Sequence, residues 1–271
     1  MIDRFLFHGF AVGLEGHIRA PFDEIIPVQA ASALPETGGY GSARVDNFRF
    51  REIVSCTAAY SQVAAAKSAK GSYDAVATVT VENLNLLNVV TADRIVARIA
   101  SKHPDDPGAE PSVIPLGSYF ENLRIAGQQV EIDLATDTFT KFDTVQSMKE
   151  AYESNKDGFR DEFDQLSLTG KGPQIPDALR RFFPAGDIQK QQAIPERKGI
   201  IACSLVRNLA SRGNLPRYGH VFALPGFGII RLAELKMSRG RRQVAMLQVE
   251  LGSMPEGHFV SAIGEGNGSD W

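Results

Sequence analysis

The sequence lacks the features that mark membrane-spanning, disulfide-rich and nucleic-acid-coating proteins. Its 271 residues include two cysteines and one tryptophan, and no apolar run approaches the length needed to cross a bilayer. Two cysteines cannot build a disulfide framework, and whether Cys56 and Cys203 are bridged stays open. A formal net charge of −3 argues against a chain that coats nucleic acid. We therefore expect no nucleic-acid partner and no transmembrane segment.

Motifs of common catalytic sites are also missing. The sequence contains no GxSxG nucleophile elbow, no GxGxxG and no P-loop, and its five histidines show no zinc-binding spacing. We accordingly expect no metal and no cofactor. Glu15 and His17 are the candidates for catalysis, because strand alternation places them on one face and a carboxylate can tune an imidazole base. A simple surface contact between the two side chains is the alternative interpretation.

The N-terminal segment does not have the pattern of a targeting signal. The stretch "MIDRFLFHGFAVGLEGHI" is interrupted by charged residues such as Asp3 and Arg4, and it has no small-residue cleavage site. The compartment is therefore unknown. The absence of a signal peptide makes a cytoplasmic location the default expectation, with export by an uncleaved route left open.

The letters "LPETGG", residues 34–39, match a bacterial cell-wall sorting signal. Such signals precede an apolar anchor, whereas this stretch precedes the strand-like "YGSARVDNFRF". Pro35 fixes its own φ, and Gly38 and Gly39 permit positive φ. The stretch therefore predicts a turn between strands.

Alternation of apolar and polar residues with period two dominates the chain. In "DAVATVTVE" the apolar positions are odd-numbered, from Ala75 to Val81, whereas in the following "NLNLL" they are Leu84 and Leu86. A one-residue slip moves all later side chains to the opposite face, so a bulge or bend is expected near Glu82 and Asn83. "ENLRIAGQQVEIDL" and "GIIRLAELKMSRGRRQVAMLQVELGS" read as hairpins with one wet face. The fold class predicted is mainly β, an antiparallel two-layer β-sandwich.

The middle of the chain has a different pattern. In "DTVQSMKEAYESNKDGFRDEFDQLSL" the apolar residues Val145, Met148 and Tyr152 recur at helical spacing after Asp143, a candidate N-cap. "IPDALRRFF" predicts a short helix with a proline in its first turn. We expect a mostly helical insertion at 141–196 within one β domain formed by 1–140 and 197–271.

Several segments resemble the choice-of-anchor P family, bacterial proteins of unknown activity. The resemblance rests on "FAVGLEGHI", "LPETGG", "VENLNLLNVVTADRIVARIAS" and "ENLRIAGQQVEIDL" in the N-terminal half, and on "RRQVAMLQVELGS" and "AIGEGNG" in the C-terminal third. It implies a β-rich fold and offers no catalytic residues. Members are typically exported with an anchor, which this sequence does not display.

Charge is unevenly distributed along the chain. Residues 197–242 contain ten basic residues and one acid, whereas residues 131–164 contain ten acids and four bases. The basic hairpin "SRGRRQ" presents Arg239, Arg241 and Arg242 as candidate binding residues for an anionic ligand, since guanidinium groups pair with carboxylates bidentately. The alternative is that these charges only keep a turn and a helical face solvated.

Three functional hypotheses follow. The first is a non-enzymatic binding or self-assembly protein, a homo-oligomer that uses sheet edges and charge-complementary surfaces. The second is a hydrolase-type enzyme with its site between the β domain and the helical insertion. The third is a secreted toxin or pore-former built on amphipathic strands.

Overall fold

A computed structural model of the chain describes residues 5–106, 108–167, 175–183, 200–238, 241–252 and 256–270. These residues form two antiparallel sheets. The first contains β1 (Phe5–Ala20), β2 (Glu24–Ala33), β11 (Ile201–Ser204), β13 (Arg217–Tyr218), β14 (Val221–Leu224), β15 (Gly228–Ser238), β16 (Arg241–Gly252) and β17 (Glu256–Asp270). The second contains β3 (Gly39–Phe50), β4 (Val54–Lys67), β5 (Tyr73–Leu86), β6 (Val90–His103), β7 (Ser112–Ile114), β8 (Tyr119–Glu121), β9 (Arg124–Ile125), β10 (Gln128–Leu134) and β12 (Val206–Ser211).

The strands of the first sheet lie in the order β13-β14-β15-β16-β17-β1-β2, with β11 added beside β15. Those of the second lie in the order β12-β10-β9-β6-β5-β4-β3, with β7 and β8 beside β6. Both sheets are open. The predicted fold class, two antiparallel layers with a helical insertion, is confirmed.

Alternate side chains of both sheets meet in one hydrophobic core. Val79 of β5, Ile95 of β6 and Leu247 of β16 are fully buried there, and Ile132 of β10 packs partly buried against the same cluster. Period two therefore selects the buried face, as the sequence predicts. Cys56 and Cys203 are both buried and unbridged.

The predicted irregularity in β5 lies at Asn83, where φ is +51°. The buried positions change from odd to even numbers there, from Val81 to Leu84. Asn83 lies opposite Thr57 of β4, and its Nδ2 donates a hydrogen bond to Thr57 Oγ1 over 2.9 Å. Asparagine tolerates the left-handed region better than most residues, because its short side chain bonds locally.

The irregularity continues across the second sheet. Asn47 of β3 and Asn122 after β8 also have positive φ, +53° and +49°, and Asn122 Nδ2 donates to Asp93 Oδ2 of β6 over 2.7 Å. The neighbouring strands change face together, so their ladders stay paired on both sides of the slip.

The first sheet has a matching irregularity, which was not predicted from the sequence. Ala30, Ala233 and Ala262 have φ of +50°, +49° and +55°. In β15 the buried positions change from Ile230 and Leu232 to Leu235 and Met237. This change of face has consequences for the functional site.

The helical insertion begins earlier than predicted. Its helices are α1 (Thr136–Lys141), α2 (Val145–Ser154) and α3 (Phe159–Ser167), with 3₁₀ turns at Lys156–Gly158 and Asp177–Phe182. Helix therefore starts at residue 136, not 141, because Phe139 of α1 is drawn into the core of the sheets. The rest of the predicted insertion, 168–174 and 184–196, lies outside the described residues.

The N-cap of α2 is Thr144, one residue after the predicted Asp143. Thr144 Oγ1 accepts a hydrogen bond from the Ser147 backbone N–H over 3.0 Å, and Ser147 Oγ accepts one from the Thr144 N–H over 3.1 Å. This reciprocal pair satisfies two backbone donors that the helix leaves free.

Two further predictions about local structure are confirmed. The backbone N–H of Gly38 donates to the carbonyl of Pro35 over 2.9 Å, which closes a turn in "LPETGG". β9 and β10 form a hairpin around Gly127, whose φ is +76°. Within the described parts of the chain, no helix has the length and apolarity to cross a membrane.

Candidate functional site

A cleft opens on the outer face of the first sheet, where the edge of β15 has two partners in succession. β14 pairs with residues 228–231 of β15 and β11 pairs with residues 234–237. The 3₁₀ turn Asp177–Phe182 covers this face, because Leu179, Phe182 and Phe183 pack on Val221, the neighbour of the core residue Phe222. The cleft therefore lies between the insertion and the sheet.

The cleft has two adjoining parts. A deep section of about 300 Å³ is lined by Phe182, Phe183, His220, Arg231 and Glu234, among others. A shallow section of about 190 Å³ is lined by Ile200, Lys236, Met237, Ser238, Arg241 and Gln243. Ile200 and Lys236 line both sections, so the two sections adjoin.

The change of face at Ala233 assembles the deep section. Arg231 and Glu234 are three residues apart, a spacing that puts two side chains on opposite faces of a regular strand. Because β15 changes face between them, both lie on the outer side. Lys236 follows on the same side, two residues beyond Glu234.

Arg231 and Glu234 form a closed network with Gln248 of β16. Arg231 Nη1 donates to both Glu234 oxygens over 3.0 and 2.9 Å, and Arg231 Nη2 donates to Gln248 Oε1 over 3.0 Å. Gln248 Nε2 in turn donates to Glu234 Oε2 over 2.7 Å. The two charged side chains are only 17% and 11% exposed, so this is a largely buried ion pair.

His220 completes the deep section. Its Nε2 lies 3.7 Å from Glu234 Oε1, and its ring packs against Phe183 with centroids 5.6 Å apart. Burial raises the pKa of Glu234, but the neighbouring His220 and Arg231 outweigh burial and bring the pKa below its ordinary value. Glu234 is therefore a carboxylate at neutral pH.

Cationic side chains outnumber carboxylates in the described lining. Arg181, Arg231, Lys236 and Arg241 line the two sections, against the single carboxylate of Glu234. The guanidinium carbons of Arg181 and Arg231 lie 4.6 and 5.1 Å from the centroid of the Phe182 ring. Outside the lining, Arg181 contacts Glu250 at 3.0 Å and Arg241 contacts Glu265 at 2.8 Å.

Neither Cys203 nor Ser204 has the surroundings of an activated nucleophile. Burial raises the pKa of the Cys203 thiol, so this group is protonated at neutral pH. Ser204 Oγ donates to the Leu232 carbonyl over 2.9 Å and accepts from the Val206 N–H over 3.0 Å. Within the described residues, no group of three or more histidine, cysteine or acidic side chains could hold a metal ion.

The predicted catalytic candidates lie elsewhere in the first sheet. Glu15 and His17 are on β1, which β17 and β16 separate from β15. His17 Nε2 contacts Asp23 Oδ1, and its ring packs against that of His258. The structure thus pairs His17 with Asp23, and it does not bring Glu15 or His17 to the cleft.

The three arginines of the basic hairpin have different surroundings. Arg239 lies outside the described residues, and Arg241 lines the shallow section. Arg242 points to the other face, is 2% exposed, and donates from Nη2 to the Asp143 carbonyl over 2.7 Å. Burial lowers the pKa of Arg242 to about 10. Arg242 therefore joins the hairpin to the insertion and is not presented to solvent.

The oppositely charged segments partly neutralise each other within one chain. Arg207 of β12 contacts Asp133 at 3.7 Å, Glu162 at 2.8 Å, and Asp137. One cation of the basic segment thus forms ion pairs with three acids of the 131–164 segment. The cleft retains its cationic excess, because these acids do not line it.

The fold and site define a two-sheet β protein with a cation-lined cleft. The chain belongs to a family described as a domain of unknown function, DUF8256, whose model matches residues 5–238. This match covers every lining residue of the deep section and ends at Ser238 in the shallow section. No curated protein and no solved structure matches the chain.

Proposed function

We propose that the protein is a non-enzymatic binding protein that takes a small anion in the cation-lined cleft. The observation that supports this function is that the described lining contains four cationic side chains and one carboxylate. Because Glu234 is already held by Arg231 and Gln248, it repels an incoming anion less than a free carboxylate would.

Lys236 is the cation best placed to meet the ligand. It is exposed, it lines both sections, and no described carboxylate lies within ion-pair distance of its ammonium group. A cation that no described carboxylate pairs with can make a charge-assisted hydrogen bond to an anion without first giving up an ion pair to those residues.

Calorimetric titration with inorganic phosphate at low salt tests the proposal. We expect saturable binding that Lys236→Ala weakens at least about tenfold, since a hydrogen bond to a charged group contributes roughly 1.5–3 kcal/mol. Lys70→Ala, which removes an exposed ammonium group from the loop before β5, is the matched control and should bind like the parent. Equal binding by the two variants would contradict the site.

A hydrolase is the second candidate function, favoured by the contact between His220 and Glu234 in the cleft. A carboxylate beside a histidine can orient and tune a general base. Turnover of phosphate or carboxylate esters that is lost in His220→Phe and kept in His17→Phe would establish this activity. Because the Cys203 thiol is protonated and the Ser204 hydroxyl donates to the Leu232 carbonyl, binding without turnover is the better-supported function.

Self-association is a further part of the proposal, and the exposed edge strand β2 supports it. Ile25 and Val28 are 72% and 50% exposed on this strand, which pairs only with β1 in the described chain. Apolar side chains on an open edge favour contact with another chain. Light scattering at low and high salt should show a dimer that Ile25→Lys dissociates and Leu116→Lys, at a leucine that is 51% exposed, does not. A monomer at both salt concentrations would contradict self-association.

We also propose a relation to the choice-of-anchor P family. Its support is the segment "VENLNLLNVVTADRIVARIAS", residues 81–101, which spans the slip at Asn83, the turn and most of β6. A member of that family whose structure lacks a left-handed residue at the matching asparagine would contradict the relation.

A further inference from the structure

We infer that the anion bound in the cleft is a small phosphorylated sugar or polyol, with its phosphate in the shallow section and its hydroxyl groups in the deep section. This inference rests on the proposed function and specifies the ligand class. It follows from a chemical difference between the two sections.

The shallow section offers hydrogen-bond donors and no lining carboxylate in its described part. Lys236 and Arg241 supply charge, and Ser238 and Gln243 supply a hydroxyl and an amide. Ammonium and guanidinium groups bind phosphate oxygens with short, charge-assisted hydrogen bonds. This section is also the more open to solvent, where a dianion keeps part of its hydration.

The deep section suits neutral hydroxyl groups rather than a second anion. Its Arg231 and Glu234 charges cancel within the closed network. Arg231 Nε is buried and has no hydrogen-bond partner, so an acceptor on a ligand would satisfy it. Among the described contacts, Glu234 Oε1 accepts one hydrogen bond, from Arg231 Nη1, so it can accept another from a ligand. A hydroxyl group is both donor and acceptor, whereas a carboxylate or phosphate would only accept.

The wall of the deep section favours a compact ring. Phe182 and Phe183 are nearly buried and present apolar surface to the cavity. A volume of about 300 Å³ lies at the lower end of ligand pockets. It accommodates one monosaccharide.

The spacing of the two sections matches such a ligand. Glu234 and Lys236 lie on one face of β15, two residues apart, which corresponds to about 7 Å along a strand. A pentose or hexose monophosphate spans this separation between its phosphorus atom and its far hydroxyl groups. Inorganic phosphate reaches only one section.

Calorimetry with three probes, D-ribose 5-phosphate, D-ribose and inorganic phosphate, tests the inference on the full chain. We expect ribose 5-phosphate to bind at least tenfold more tightly than phosphate, and ribose alone to give no saturable heat. Equal affinity for ribose 5-phosphate and phosphate would overturn the inference and leave the proposed anion site standing. Absence of binding by all three would overturn both.

Two variants separate the sections. Lys236→Ala should weaken ribose 5-phosphate and phosphate by the same factor, because both compounds use the shallow section. His220→Phe keeps the packing against Phe183 and removes the ring nitrogens, so it should weaken ribose 5-phosphate severalfold and leave phosphate unchanged. An equal loss for both probes in His220→Phe, with an unchanged unfolding temperature, would overturn the inference. The comparison of probes on the parent protein needs neither variant to fold.

Discussion

Replacing Glu234 with glutamine removes the carboxylate that Arg231 contacts at 2.9 and 3.0 Å and keeps the size of the side chain. Breaking a buried ion pair by removing one partner typically costs about 3–5 kcal/mol, because the remaining charge is buried without compensation. Here Arg231 is 17% exposed, and Glu250 remains 3.7 Å from its Nη2. Both features offset part of the loss, so we expect Glu234→Gln to lower the free energy of unfolding by about 2–3 kcal/mol.

A double-mutant cycle separates the pair from other contacts of Glu234. The variant Arg231→Met removes the charge and keeps most of the apolar stem, and we expect it to cost about 2 kcal/mol because Glu234 then keeps only Gln248 and His220 as partners. The double variant Arg231→Met/Glu234→Gln buries no unpaired charge at these positions. Its cost should fall short of the sum of the single costs by at least about 1.5 kcal/mol.

Urea unfolding at pH 7, followed by circular dichroism, provides the measurement. The midpoint should shift while the slope stays constant, because the exposed area on unfolding is nearly unchanged. Additive costs in the cycle, or a loss below about 0.5 kcal/mol for Glu234→Gln, would refute the description of this pair as buried and coupled.

Three other predictions concern pH, backbone conformation and the insertion. The folded-state pKa of Glu234 is lowered from 4.5, so the stability it contributes is present above that pH and is lost as pH falls through the folded value. The stability gap between the parent and Glu234→Gln should therefore shrink below pH 4.5 in urea titrations; a constant gap would contradict this. Asn83→Val should cost about 1–3 kcal/mol, because a β-branched residue is strained at φ +51°, whereas Asn83→Gly should cost less. Equal thermal midpoints for the two Asn83 variants would exclude backbone strain as the cause. Phe163→Ala should cost about 3–5 kcal/mol in urea unfolding, since Phe163 is fully buried in the core shared by α3 and the sheets. A loss below about 1 kcal/mol would mean that the insertion folds apart from the sheets.

The slip in β5 was predicted from the sequence, whereas the slip in β15, from Ile230 and Leu232 to Leu235 and Met237, was missed. Around Asn83 the change of parity is visible because large apolar residues occupy both parities in turn. In β15 the change falls at Ala233, which is small enough to read as part of either face. Alternation was therefore predicted from Ala233 onward, without the change of face that places Arg231 beside Glu234.

The cleft could not be predicted from the sequence, because its lining residues come from separate parts of the chain. Arg181 comes from the insertion, His220 from the turn before β14 and Arg231 from β15, and no fixed spacing joins them. The basic hairpin was recognised as a cationic feature, and Arg241 does line the shallow section. The opposite orientation of Arg242 follows from the pleat, which sends neighbouring residues to opposite faces.

The sequence by itself determined the β architecture, because a two-residue period of apolar side chains has one efficient solution, a sheet with one face buried. It also determined the turn at Pro35–Gly38 and the bend at Asn83, since both depend on local backbone preferences. Only the tertiary structure decided which side chains meet. Contacts in a sheet depend on register and strand order, and a single left-handed residue reverses the face of the side chains that follow it.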